Sequence, residues 1–326
     1  MVGGGLGVSA PADFAYEWSM SLALYTHPDM LAHTPPAGHP ETPARLRAVT
    51  DALADADLGL ETLEAPLIDG ADLALVHGEA YLAALAQAEP ARGALPLDAE
   101  RDTWVSSGSI QAARRAAGAV AAAVRSVAAG ETGRAFCAVR PPGHHAGADR
   151  PMGFCLYSNV AIGARVAQGA GLRRIAVVDF DVHHGNGTQD IFAADPSLFL
   201  ASVHEAPAWP GTGDPSETGV GNIANATVPP GAAREAWRRT FEGLMARVDA
   251  FEPDLILVSA GFDAHARDPL ADQRLEAEDY AWATRAIVSV ANGRAGGRVV
   301  SSLEGGYDLE ALGQSALAHV RALQGA

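Results

Sequence analysis

Ile175-Ala-Val-Val-Asp-Phe-Asp-Val-His-His-Gly-Asn-Gly-Thr-Gln-Asp190 is the stretch whose reading decides the fold. Its opening residues are apolar and mostly β-branched without polar interruption, which suits a strand buried on both faces of a parallel sheet. Where that run ends, Asp179, Asp181 and His183 alternate at period two, so an extended segment would present all three on one side. Taken singly, an Asp at a strand end usually caps a helix, and a His usually packs with a hydrogen bond. Taken together they need more: two neighbouring buried carboxylates are costly unless a cation neutralises them, and residues 175–190 contain neither Arg nor Lys. A divalent cation meets that need, and the Asp/His mixture suits zinc better than magnesium or calcium. Gly185 and Gly187 then turn the chain sharply and leave these groups at the carboxyl end of the strand.

Outward from this stretch, strands and helices alternate from residue 135 onward. Strands are expected at 135–139, 175–180, 198–203, 255–259 and 299–303, with helices at 159–168, 234–251, 277–291 and 309–323. Upstream, residues 22–25 read as a short strand, 43–56 as a helix with Pro43 in its first turn, and 69–74 and 79–88 as shorter helices. Residues 95–109 read as a loop, followed by a long Ala-rich helix from about Ser109 that ends at Gly130. The histidines His27, His33 and His39 fall in a Pro-rich loop at a spacing of six, which matches no ligand spacing, so they read as solvated. This pattern is that of a single α/β domain, an open, mostly parallel sheet flanked by helices, over 21–326. Residues 1–20 read as a peripheral extension without the features of a signal peptide.

Composition narrows the function. The net charge is −16, which disfavours nucleic acid and anionic membrane surfaces and is compatible with cationic substrates. No Lys occurs, so all 23 basic residues are Arg and lysine-based covalent mechanisms are excluded. Cys137 and Cys155 are two thiols in a chain of 326 residues, which implies no disulfide framework and a reducing cytoplasm. No run approaches the roughly 18 apolar residues of a membrane span. No Gly-x-Ser-x-Gly motif occurs, so a serine hydrolase elbow is not expected.

Polar residues cluster where the strands end, the rim at which open parallel sheets bind ligands. A catalytic zinc keeps three protein ligands and one open position. Asp181 and His183 supply two, and Asp263, after a buried strand and near Gly261, is the best third, although capping is its simpler role. His144 and His145, following Pro-Pro-Gly, suit the handling of a proton from metal-activated water. Asp179 and Asn186 are available to orient them, and two chemically different partners would push the two imidazoles apart in pKa. Tyr307, on a Gly-Gly turn, is placed to donate its hydroxyl to an oxyanion.

Six ordered motifs now stand together: Arg140-Pro-Pro-Gly-His-His-Ala, Gly153-Phe-Cys-Leu, Asp179-Phe-Asp-Val-His-His-Gly-Asn-Gly-Thr-Gln, Pro210-Gly-Thr-Gly, Ala260-Gly-Phe-Asp-Ala-His and Leu303-Glu-Gly-Gly-Tyr. With His39-Pro-Glu-Thr-Pro-Ala-Arg45 they resemble the zinc-dependent histone deacetylase superfamily, nearest its class II-like bacterial amidohydrolases, which include acetylpolyamine amidohydrolases. The resemblance runs from about Leu22 to the end. It implies the arginase/deacetylase-like fold and hydrolysis of linear N-acyl amides, with Asp181, His183 and Asp263 as zinc ligands. It also implies that His145 is the general base and then acid, His144 its electrostatic companion and Tyr307 the transition-state donor. A structural potassium is implied on Asp179, Ser202 and the main-chain oxygens of Asp181, His183 and Val203. Gly153, Phe154, Trp209 and Leu270 match the walls of the acyl-lysine channel, and Asp102 a rim residue that grips the substrate backbone. Trp209 replaces the more usual aromatic, and Ser158 a common Asn, so the resemblance leaves substrate preference open among protein acyl-lysine, acetylated polyamines and small amides. A homo-oligomer is compatible with it and would shape the channel mouth. An arginase-like dimanganese ureohydrolase is disfavoured because Asp263-Ala-His lacks a second Asp two residues on.

Overall fold

The computed structural model describes residues 22–325; the expected extension at 1–20 lies outside them. Eight strands form one sheet in the order β2-β1-β5-β10-β9-β6-β7-β8. Every neighbouring pair is parallel. Its centre is β5 (Arg134–Cys137), β10 (Val299–Leu303), β9 (Leu255–Ala260) and β6 (Ile175–Asp179), each buried throughout. β6 and β9 are mainly Val, Ile, Leu and Ala, as a sheet covered on both faces demands, while β5 and β10 also bury Arg134, Ser301 and Ser302; each fully buried Val or Leu contributes about 1.5–3 kcal/mol. Flanking them are β1 (Leu22–Thr26) on one side and β7 (Leu198–Glu205) on the other.

The sequence missed both edges. β2 (Glu61–Glu64) is a largely exposed acidic strand beside β1, and β8 (Ile223–Val228) carries Asn225 within its run. β2 is short and mostly exposed, and Asn225 and Thr227 interrupt the apolar run of β8, so both leave a weak sequence signal. The expected loop before the long helix instead contains an antiparallel hairpin, β3 (Ala94–Pro96) with β4 (Trp104–Ser106).

The long helix is observed at α4 (Ser109–Ala129), which packs with α5 (Asn159–Gly169) on one face of the sheet. Its small residues serve close approach: a Cβ at Gly118 would lie 1.9 Å from the Pro66 carbonyl oxygen. On the other face α1 (Pro43–Asp55), α9 (Leu309–Gly325), α8 (Ala277–Arg294) and α7 (Arg234–Phe251) form a contiguous layer. α8 begins with a reciprocal capping box between Glu276 and Asp279. Short helices α2 (Gly70–Leu73) and α3 (Glu79–Ala86) precede the hairpin, and α6 (Asn186–Phe192) follows β6. No helix among the described residues is long and apolar enough to cross a membrane.

The Pro-rich loop corrects an expectation. His33 is 1% exposed, not solvated, with Nδ1 2.7 Å from Ser109 Oγ and Nε2 3.3 Å from the Glu41 carboxylate. Glu41 is fully buried and accepts two hydrogen bonds from Arg140, at 2.7 and 2.6 Å, and one from Arg45 at 3.2 Å. A buried carboxylate between two guanidinium groups is the paired arrangement that makes its burial tolerable. This network ties the loop to the Arg140-Pro-Pro-Gly segment and thereby to the carboxyl edge of the sheet.

Candidate active site

Four loops meet at the carboxyl edge of the central strands. β6 ends at Asp179. The following residues bend, so Asp181 and His183 do not continue an extended alternation as expected. The turn divides the labour: Asp179 faces His144, while Asp181 and His183 face Asp263 from the loop after β9. One ligand atom from each of Asp181, His183 and Asp263 falls within 4.8 Å of the others.

Both carboxylates are essentially buried and held by backbone amides. Asp181 accepts from His183 N at 3.0 Å and Gly305 N at 2.8 Å, and Asp263 accepts from Val182 N at 2.9 Å. The His183 Nδ1 atom stands 3.1 Å from an oxygen of each. Space for these oxygens is kept by glycines. A Cβ on Gly261 would lie 2.0 Å from Asp181 Oδ2, and one on Gly305 would lie 2.2 Å from Asp263 Oδ2 and 2.6 Å from Asp181 Oδ2. Two buried oxygen donors and one imidazole nitrogen, converging without an Arg among their hydrogen-bond partners, fit a divalent cation.

Beside this triad lie two imidazoles with ring centroids 3.8 Å apart. His144 Nδ1 is 3.0 Å from Asp179 Oδ2, and His145 Nδ1 is 2.8 Å from Asn186 Oδ1. Because an amide oxygen only accepts, neutral His145 carries its proton on Nδ1 and leaves Nε2 with a lone pair. Burial, reinforced by His144 and His183, holds the His145 imidazole well below its ordinary pKa. Burial opposes charge on His144 too, but Asp181 and Asp179 override it and push that imidazole up to about 10. A carboxylate partner and an amide partner thus separate two adjacent histidines.

The pocket above them encloses about 240 Å³ and is lined by Asp102, Gly153, Phe154, Trp209, Leu270 and Tyr307, with His144, His145 and His183 in its wall. All five wall and rim residues expected from the sequence are therefore brought together. Pro142 and Gly305 also line it; they sit inside quoted motifs, but apolar and glycine positions carry no chemical signal of their own. Gly153 (φ +54°) and Phe154 (φ +69°) turn the wall inward, and a Cβ on Gly153 would press 2.5 Å from His145 and 2.6 Å from Trp209. Trp209 meets the His145 ring edge-on at 4.7 Å and donates its indole N–H to Glu100 at 3.0 Å. The β3–β4 hairpin places Asp102 at the mouth. Its carbonyl lies 2.9 Å from His39 Nε2, and Thr103 Oγ1 accepts from Phe154 N at 3.2 Å. Burial and the adjacent Asp98 push the Asp102 carboxyl up to about 6. Tyr307 lies against Phe154, with the Arg45 guanidinium 4.8 Å from its ring centroid. Burial outweighs the influence of Arg45 and keeps the phenol well above its usual pKa, hence protonated.

Behind the triad, register pairs Asp179 on β6 with Ser202 on β7, and both are fully buried. Asp179 Oδ1 accepts from Asp181 N at 3.1 Å, and Ser202 Oγ is 2.9 Å from His204 Nδ1. Val203 follows in the same strand. Ser158, by contrast, is buried at the start of α5 with its hydroxyl unpartnered and is not among the pocket-lining residues.

A helix-flanked parallel sheet carrying a two-Asp, one-His cluster and a histidine pair at its carboxyl edge defines an α/β protein of the arginase/deacetylase type. The histone deacetylase domain model matches residues 39–323, and the chain belongs to that family. It is 40% identical to the chloroplastic histone deacetylase 10 of Oryza sativa subsp. japonica, over 93% of this chain and 73% of that one. To the histone deacetylase-like amidohydrolase of Pseudomonas aeruginosa it is 36% identical, over 83% of this chain and 73% of the relative. The crystal structure of the HDA15 HD domain superposes with a TM-score of 0.88 at 34% identity, covering 94% of this chain and 88% of that one.

Proposed function

We propose that the chain is a zinc-dependent deacetylase that hydrolyses N-acyl amides of slender amines, such as acetyl-lysine or acetylated polyamines. The observation that carries this reading is the convergence of Asp181, His183 and Asp263 beneath a narrow pocket that also holds an unprotonated imidazole nitrogen and a protonated phenol.

Zinc held by Asp181, His183 and Asp263 would supply Lewis acidity that polarises the amide carbonyl and makes a water acidic near neutral pH. His145 Nε2 takes the proton of the attacking water, because Asn186 holds the ring in the Nδ1–H form. Tyr307 donates its hydroxyl to the developing oxyanion, and its raised pKa keeps that proton available. His145 then returns its proton to the leaving amine, while His144, held by Asp179, stabilises the charge from below. Phe154, Trp209, Gly153 and Leu270 would sheathe the acyl-bearing chain, with Asp102 gripping the substrate at the rim. Asp179, Ser202 and the main chain at Asp181, His183 and Val203 would seat a potassium ion that stiffens the loop behind the zinc. His265, standing where a second Asp would follow Asp263 by two residues, supports a single catalytic ion over a dimanganese ureohydrolase pair.

Two buried free thiols support a reducing compartment, for which we propose the cytoplasm. The test is a competition among an acetyl-lysine peptide, acetylputrescine and acetylspermidine with zinc-loaded protein. Release of acetate from at least one supports the reading, and failure on all three and on a trifluoroacetyl-lysine peptide overturns it.

A further inference from the structure

Resting on that reading, we propose that Asp268 is a positioning residue for Tyr307, tying the donor's backbone to the channel wall at Leu270 through a single carboxylate. Tyr307 lies outside regular secondary structure, after Gly306 at φ +119°, so no ladder or helix fixes it. Its N–H donates to Asp268 Oδ2 at 2.7 Å. The other oxygen, Oδ1, accepts from Leu270 N at 3.0 Å. Asp268 is 8% exposed, and its own N–H donates to His265 O at 2.9 Å, which anchors the carboxylate within its turn.

Two irregular segments, the Leu270 loop and the Gly-Gly-Tyr turn, are thus joined by the two oxygens of one side chain. Arg45 supports the turn from the opposite side, donating to the carbonyls of Gly306 at 2.6 Å and of Glu304. Arg45 therefore fixes carbonyls while Asp268 fixes the amide that carries Tyr307 itself. Arg267, next to Asp268, does not satisfy this carboxylate; it pairs with Asp308 and Glu310 as a half-exposed second tie to the segment after Tyr307, whereas Asp268 alone holds the Tyr307 amide. A donor hydroxyl stabilises a transition state only when it is aimed beforehand, and a misplacement of about 1 Å costs up to about a hundredfold. Loosening the amide of Tyr307 should therefore appear in kcat, with binding largely retained.

The experiment is a double-mutant cycle between Asp268→Asn and Tyr307→Phe on the zinc-loaded full chain. Asn keeps the size of the side chain but offers one acceptor oxygen in place of two. Asp268→Asn is expected to lower kcat about tenfold with KM changed less than about twofold, and to change kcat less than about twofold once Tyr307 is already Phe. Equal losses in both backgrounds, or a wild-type kcat in Asp268→Asn, would overturn the proposal. If Asp268→Asn does not accumulate folded, Asp268→Ser, which keeps one small acceptor, is put through the same cycle with the same criteria. An inactive wild-type chain would refute the deacetylase reading instead, so the two failures are distinguishable.

Discussion

Gly305→Ala is the sharpest perturbation of the metal site, because it changes no ligand and no charge. The added methyl would sit 2.2 Å from Asp263 Oδ2 and 2.6 Å from Asp181 Oδ2, against ordinary contacts above 3 Å. Neither neighbour is the free end of a flexible chain. Asp181 is fixed by the amides of His183 and Gly305, and Asp263 by that of Val182. The two carboxylates must therefore retreat by about 1 Å, which is large compared with the tolerance of about 0.2 Å within which metal–ligand distances are held. Weakening two of three ligands to this extent should cost at least the 10–100-fold in metal affinity that loss of a supporting residue costs. The assay is competition for zinc against a chromogenic chelator, with circular dichroism to establish that the variant is folded. A folded Gly305→Ala protein with wild-type zinc affinity would refute the assignment of Asp181 and Asp263 as joint ligands.

Tyr307→Phe should lower kcat by about 10²–10³ while zinc content stays at the wild-type level, checked by turnover and elemental analysis on one preparation. Asn186→Ala frees the His145 ring to adopt the wrong tautomer and should reduce kcat/KM about tenfold or more, with zinc affinity unchanged. A pH effect follows from His77, which burial depresses to about 4 from 6.5. Above pH 6.5 neither folded nor unfolded chain protonates it; as pH falls toward 4 the unfolded chain takes up a proton that the folded chain refuses, so stability is lost. The loss is about 1.4 kcal/mol per pH unit, or about 2 kcal/mol between pH 7.5 and 5. His77→Gln, whose amide can still accept from Ser158 N and donate to Ala148 O, should show a correspondingly smaller change in urea midpoint over that interval.

What the sequence disclosed follows from how each signal arises. β6 and β9 were legible because strands buried on both faces are mostly apolar, and the chemical groups stand out where those runs stop. Asp179, Asn186, His144 and His145 were legible as a set because they lie in distinctive motifs, but which partner serves which imidazole comes from the structure, His144 with Asp179 and His145 with Asn186. β2 and β8 were not legible, since β2 is mostly exposed and the apolar run of β8 is broken by Asn225 and Thr227. His33 was misread because its burial depends on Arg140, which donates to its carbonyl across 107 residues, as well as on Glu41 in the same loop, and local composition gives no cue to the first. Asp268 and Gly305 stood inside the motifs, yet only three-dimensional placement shows the first gripping the Tyr307 amide and the second making room for two carboxylates.

The most direct test is to strip the protein of metal and titrate zinc back while following acetate release from an acetylated amine. Activity is predicted to rise linearly and break at one equivalent per chain. A flat response, or a break at two equivalents, would contradict a single ion seated on Asp181, His183 and Asp263.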